Sequence, residues 1–504
     1  MSKNNAELKK IFELAVHSQK NKDLDKAKDL YEKVLETYPN DLATLNNAGT
    51  IYKELRKFST AIEYYKKALR VNKEDLATNY NLGLLFHQLD EYNNSISFYK
   101  KVIKINPKHL KTYSNLMEIY DKTNNKKELE KIILYSKNFI KNKSEIIIYE
   151  GRFLFKNEKY KEVIKILESI SFNEDQINLE HLRVLTLGKT YDHLKNPEKA
   201  FKYFVESNDI DFKIKNKKIN KNIYLEIIKR REKYFKSYKL DRKIKPNLAK
   251  EKIGPFFMIG FPRSGTTLLD TILRSHPSVE VIEEKPIVEK LIYNLNKITK
   301  NNLQNLKKIN KEQIQDLKKI YYKSLESNIS KKNNNKIYID KLPLNIIYVG
   351  EILKIFPNAK FIFSLRHPCD CVLSCFMQNF KINNAMANFL NIEDSAYLYD
   401  NVMKLWTIYL SNFTINFKKV RYEDLINNFN GTVKSVLKFL ELPWSDSVLN
   451  YSETANKRSQ IKTPSYDQVI KPIYTTASGR WKLYEKQISS IYPILEHWIK
   501  EFGY

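Results

Sequence analysis

Cysteine is scarce in this 504-residue chain. The three present, Cys369, Cys371 and Cys375, fall within seven residues of one another, so no disulfide framework can staple a chain of this size. They lack Cys-x-x-Cys spacing and have only His367 close by, and they read as small buried apolar residues and not as a metal site. Long apolar runs are missing too. None approaches the roughly 18 residues of a membrane-spanning helix, and the opening Met-Ser-Lys-Asn-Asn-Ala-Glu-Leu-Lys-Lys carries no secretory pattern. The expectation is a cytoplasmic protein without a transmembrane segment. Acidic residues are few, 58 Asp+Glu against 87 Lys+Arg, leaving a formal charge of +29. The lysines are scattered through Asn- and Ile-rich helical stretches and not gathered in a tail. We read most of the excess as background composition and solvated helix faces, and the remainder as steering of an anionic cofactor or peptide. No recognisable nucleic-acid module with interleaved aromatics is present, so nucleic acid is not expected as a partner.

A chain this long exceeds one ordinary core, and two domains are expected. Through residues 1–215 a spacing of 34 recurs. One column holds Leu14, Ala48, Leu82 and Leu116, and the next Ala15, Gly49, Gly83 and Met117. Others hold Ala27, Ala61, Ser95 and Leu129, and Tyr31, Tyr65, Tyr99 and Ile133. Small residues where two helices cross, large ones beside them, and Pro39 or Pro107 closing a unit describe a helix-turn-helix repeat. The pattern resembles the tetratricopeptide repeat, save for its tryptophan. About six helix pairs are expected to stack into a superhelix whose concave face holds a peptide or partner protein. Residues 216–250 read as a helical connector, and 251–504 as a second, α/β domain with a central parallel sheet. Within it, residues 300–336 read as an exposed helical insertion.

The second domain opens on Pro255-Phe-Phe-Met-Ile-Gly-Phe-Pro-Arg-Ser-Gly-Thr-Thr-Leu-Leu-Asp. This is a buried strand, a glycine-bounded turn and the start of a helix, an arrangement whose loop N–H groups and helix N-terminus point at an anion. The Gly260-x-x-x-x-Gly265 spacing is that of a nucleotide phosphate loop, with Thr267 at its Ser/Thr position. The lysine that would reach a β/γ-phosphate is absent: Thr266 stands there, and Arg263 inside the loop supplies the cation. That composition suits one phosphate bearing a transferable group better than a triphosphate with magnesium, although a phosphate-loop kinase stays open at this point. Further on, Glu283 and Glu284 end a short strand. Adjacent strand residues point to opposite sides, so one carboxylate is expected to face the site as general base and the other water. Lys341 and Arg366 end two more strands, and ligands of open parallel sheets bind beyond such ends. Three cations at one edge imply a polyanion, and Ser374, near two helical turns after Arg366, is placed to face it.

Taken together, Arg263 to Glu284, Asp340-Lys341, Phe356 to Phe361 with Arg366 and Ser374, Tyr422-Glu423, Asp467 to Pro472 and Ala477 to Trp481 resemble the tyrosylprotein sulfotransferase branch of the sulfotransferases. The resemblance covers about the last 250 residues. It implies 3'-phosphoadenosine-5'-phosphosulfate (PAPS) as co-substrate, no metal, and an acceptor hydroxyl, with protein tyrosine leading and a saccharide or small molecule as the alternative. It places Arg263, Ser264, Gly265, Thr266 and Thr267 on the 5'-phosphosulfate, and Arg366 and Ser374 on the 3'-phosphate. Glu284 falls on the catalytic base, and Lys341 and Ser465 on groups that stabilise the transition state. Tyr422, Lys471 in the loop from Ser465 to Tyr474, and Arg480 (lysine in the family) fall on further cofactor contacts. The family's disulfide cysteines are absent, a second cofactor-site arginine is Gln378, and its peptide-binding arginine is Pro286. Beside this stands a third reading, a repeat scaffold whose enzyme domain has decayed.

Overall fold

The computed structural model describes residues 2–141, 143–215, 219–238, 254–329, 336–457 and 478–504. The chain divides into two compact units, Met1–Leu194 and Lys195–Tyr504. Among the described residues no helix is long and apolar enough to cross a membrane.

The first unit is the repeat array. Its helices pair as Ser2–Lys20 with Leu24–Thr37, Leu42–Glu54 with Phe58–Val71, and Leu76–Gln88 with Tyr92–Ile105. Leu110–Lys122 with Lys126–Lys137 and Ser144–Lys156 with Tyr160–Leu167 follow, then Ile177–His193. Asp41 and Asp75 cap their helices 34 residues apart, each accepting the N–H of the threonine three residues on. The 34-residue columns are the packing contacts. A Cβ on Gly49 would lie 2.7 Å from Tyr65, and one on Gly83 2.4 Å from Tyr99, so the glycine is the space its partner's ring occupies. Where Met117 replaces the glycine, Ile133 replaces the tyrosine, so no ring needs the space a glycine leaves, and both are buried. Leu14 breaks its column at 43% exposure, whereas Ala48, Leu82 and Leu116 are buried; no preceding helix among the described residues covers it.

The second unit is built on a five-stranded, wholly parallel sheet in the order β2-β3-β1-β4-β5. The strands are β1 Phe256–Gly260, β2 Val279–Glu283, β3 Ile337–Lys341, β4 Lys360–Leu365 and β5 Asn416–Arg421. β1 is central and buried at every residue, as a strand covered on both faces requires. Phe256 and Met258 point into one core with Leu269, Ile272 and Leu273 of the helix Thr266–Arg274 and Val433, Val436 and Leu437 of Phe429–Phe439. Phe257 points the other way, onto Phe361 and Tyr321.

Tyr321 corrects one sequence expectation. It belongs to the helix Lys311–Glu326, inside the stretch read as an exposed insertion, yet Leu317, Tyr321 and Leu325 are buried. Only one face of that helix is lysine-rich, and its apolar face closes the sheet. The helix Lys221–Lys236 is likewise fixed within this unit: Arg231 Nε lies 2.8 Å from Glu351, both fully buried, and its guanidinium stands 4.6 Å above the Tyr348 ring.

Candidate active site

Every strand of the sheet delivers a polar group at its carboxyl end. After β1, the turn 261–265 leads into the helix Thr266–Arg274, whose first α-type bond runs from Leu269 N to Gly265 O. The N–H groups before it have no partner within the helix. Gly265 has φ +90°, and a Cβ there would sit 2.7 Å from Cδ2 of Tyr422, the residue after β5. The absence of a side chain is what brings loop and ring together. Ser264 Oγ is buried without a hydrogen-bond partner among the described residues, a donor in want of an acceptor.

Arg263 is itself left-handed, at φ +68°, strain of about 1–2 kcal/mol for a residue with a Cβ. Its Nε donates to Ser374 Oγ at 3.0 Å, and its carbonyl accepts from Arg366 Nη1 at 3.2 Å. The Arg366 guanidinium lies 5.0 Å from the Tyr422 ring centre. Burial opposes the charge of Arg366, but Asp370, with Tyr422 and Glu423 adding to it, holds its pKa raised. Arg263, Arg366, Ser374 and Tyr422 are therefore one connected cluster over β1, β4 and β5.

A second cluster lies over β2 and β3. Lys341 Nζ is 3.2 Å from Glu283, 3.2 Å from Glu284 and 4.0 Å from Asp270. Desolvation acts to discharge Lys341, and the carboxylates of Asp270, Glu284 and Glu283 outweigh it, so its pKa is raised. This corrects the expectation that the two glutamates face opposite ways. β2 ends at Glu283, and Glu284 turns to φ +49° with its N–H on Lys341 O at 2.8 Å. Leaving the pleat brings its side chain back to the face Glu283 occupies. The two differ in access: Lys341 is 0% exposed and Glu283 10%, while Glu284 is 37% exposed.

Residues 255–446 match the Sulfotransferase family, and 9–74 and 76–109 match tetratricopeptide repeats. The second unit carries a sulfotransferase-family domain. An uncharacterized protein of Aquifex aeolicus is 29% identical over 252 residues, 49% of this chain and 33% of that protein. Protein-tyrosine sulfotransferase 1 of Danio rerio is 26% identical over 231 residues, 45% of this chain and 64% of that one. The chain thus spans about one third to two thirds of the length of these curated relatives. Among solved structures, a tetratricopeptide repeat protein from Parabacteroides merdae aligns with a TM-score of 0.35 at 16% identity, covering 41% of this chain and 85% of that one.

Within the sulfotransferase domain, Thr266 and Thr267 are buried at the head of the loop-opened helix. Arg480 donates to Met377 Sδ at 3.1 Å, just past the helix Pro368–Phe376. Ser465 and Lys471 lie outside the described residues. Among the described residues no group of His, Cys, Asp or Glu side chains is arranged to hold a metal ion. The three cysteines are free and buried, and burial pushes their thiols up. Sequence reasoning gave no role to three carboxylates. Asp270 backs Lys341. Glu423 ties strand ends together, accepting His367 N at 3.1 Å and the Tyr504 hydroxyl at 2.8 Å. Asp370 accepts from Gly479 N at 2.8 Å and Trp481 N at 2.9 Å, with Arg366 Nη2 at 3.6 Å. An aspartate in a first helical turn has an ordinary local reason to be there, which hides such a role.

Proposed function

We propose that the second unit transfers a sulfuryl group from PAPS to an acceptor hydroxyl, with protein tyrosine as the leading acceptor. The observation that carries this reading is the pairing of two clusters on neighbouring strand ends, Arg263–Arg366–Ser374 for anions and Glu284–Lys341 for the reacting hydroxyl. The residues present suit the donor: a buried Ser264 hydroxyl in want of a partner, a turn without a side chain at Gly265, and guanidiniums, which match phosphate geometry. Bound there, PAPS would supply a sulfuryl group on a phosphate that leaves readily.

The remaining chemistry belongs to the chain. Ser264 to Thr267 hold the 5' end, and Arg366 with Ser374 holds the 3'-phosphate. Tyr422 packs beneath Arg366, and Arg480, with Lys471 as a further candidate, adds to the cofactor's hold. Glu284, the more exposed carboxylate, takes the acceptor's proton, a contribution of typically about 10²–10⁴-fold. Lys341, with Arg263 and Ser465, offsets charge growing on the leaving oxygen. Lys341 also fixes Glu284 beside the acceptor. The repeats of the first unit would hold the acceptor protein or a partner. The buried free thiols suit a reducing compartment, in keeping with a cytoplasmic protein.

Pro286, where the related enzymes carry a peptide-binding arginine, favours a second reading in which the acceptor is a saccharide or small molecule. Incubation with ³⁵S-labelled PAPS and a cell lysate, followed by protease digestion of the labelled product, separates the two. Label that becomes acid-soluble on proteolysis supports the tyrosine reading, protease-resistant label supports the second, and no labelled product refutes both.

A further inference from the structure

The helix Pro368–Phe376 touches three arginines that approach from three parts of the chain. Ser374 meets Arg263, Asp370 faces Arg366, and Met377 at the helix's end meets Arg480. Asp370 is the one of these with a negative charge, and it is 1% exposed. Its Oδ2 takes the N–H of Gly479 at 2.8 Å and stands 3.6 Å from Arg366, and its Oδ1 takes the N–H of Trp481 at 2.9 Å. Hydrogen bonds from backbone amides to a buried carboxylate are strong and direction-sensitive. Gly479 is left-handed at φ +73°, a conformation that favours glycine, and its amide and that of Trp481 reach the two oxygens of one carboxylate.

Resting on the donor reading above, we propose that Asp370 is a positioning residue that locks the Arg366 guanidinium to the turn carrying Arg480, so that the protein selects a nucleotide bearing a 3'-phosphate. Without the carboxylate, Arg366 would keep its bond to the Arg263 carbonyl and its place over Tyr422 but lose the ion pair that orients its guanidinium. The turn 478–481 would lose two hydrogen bonds at once. An asparagine can accept with only one oxygen, so Asp370→Asn cannot replace both.

The measurement is calorimetric binding of adenosine 3',5'-bisphosphate and adenosine 5'-phosphate to the full-length protein. In Asp370→Asn the ratio of the two affinities should fall at least tenfold, with the 5'-phosphate affinity unchanged. Asp370→Glu, which keeps the charge and moves it by one methylene, should fall in the same direction. General destabilisation lowers both affinities together, and a merely repulsive Asp370 raises that for the bisphosphate; either result overturns the proposal. Hydrogen exchange on the unaltered protein needs no variant: the bisphosphate should slow exchange at Gly479 and Trp481 more than the monophosphate does, and equal protection also overturns it. If the unaltered protein binds neither nucleotide, the donor reading fails and this inference with it. A normal ratio in the wild type that persists in both variants sinks this inference alone.

Discussion

Replacing Glu284 by glutamine separates chemistry from stability at this site. Glu283 and Glu284 lie at the same 3.2 Å from Lys341, and they differ in exposure, 10% against 37%. In Glu284→Gln, Lys341 keeps Glu283 and, behind it, Asp270, so no buried charge is stranded. An ion pair with so accessible a partner contributes only about 0–1 kcal/mol, and the melting temperature should barely move. The rate should fall by about 10²–10⁴, since the acceptor hydroxyl loses its base. At 1.36 kcal/mol per decade this is roughly 2.7–5.5 kcal/mol of barrier. The assay is single-turnover ³⁵S transfer at saturating donor, with binding of adenosine 3',5'-bisphosphate as the control for an intact pocket. Glu283→Gln is the matched comparison: being less accessible, it should cost less rate than Glu284→Gln. Transfer within tenfold of wild type by a folded, nucleotide-binding Glu284→Gln protein would refute the assignment, as would an ordering in which Glu283→Gln is the slower.

Gly265→Ala combines a left-handed φ with a Cβ at 2.7 Å from Tyr422, strain alone worth about 1–3 kcal/mol; displacing Tyr422 from Arg366 should weaken bisphosphate binding at least tenfold by calorimetry. Glu351→Ala strands Arg231 in the core and should cost about 3–5 kcal/mol in urea denaturation, part of which a paired Arg231→Leu/Glu351→Leu protein should recover. Burial lowers the pKa of His367 from 6.5 to about 4, with Asp370 opposing and Arg366 and Lys482 adding to the shift. A depressed folded pKa means stability is complete above about pH 6.5 and is lost progressively as pH falls toward 4. His367→Gln should flatten that part of the curve of melting temperature against pH, and an unchanged slope contradicts the shift.

Much of this was legible in the sequence because the signals were local. The 34-residue columns are the packing contacts themselves, and the turn from Gly260 to Gly265 needs only its own residues to form. Lys341 and Arg366 could be placed because each follows an apolar run. β5 gave no such run: Asn416-Phe-Lys-Lys-Val-Arg421 is an edge strand with two lysines at its centre, and only pairing to β4 makes it a strand. The turn of Glu284 out of the pleat was equally invisible, since its φ is imposed by a bond to the β3 carbonyl and not by its neighbours in sequence. Asp370 and Glu423 needed the fold, because their partners lie 109 and 81 residues away.

The placement of the two clusters makes the carboxyl edge of the sheet electrically two-ended. Guanidiniums gather where β1 meets β4, and a surplus of carboxylate sits at β2, two to three strand spacings or roughly 10–14 Å across the edge. A long anion laid along that edge would have one favourable heading, since reversing it would set phosphate against glutamate. The order of strands therefore polarises the edge, and would decide which end of a bound ligand meets the acidic side chains.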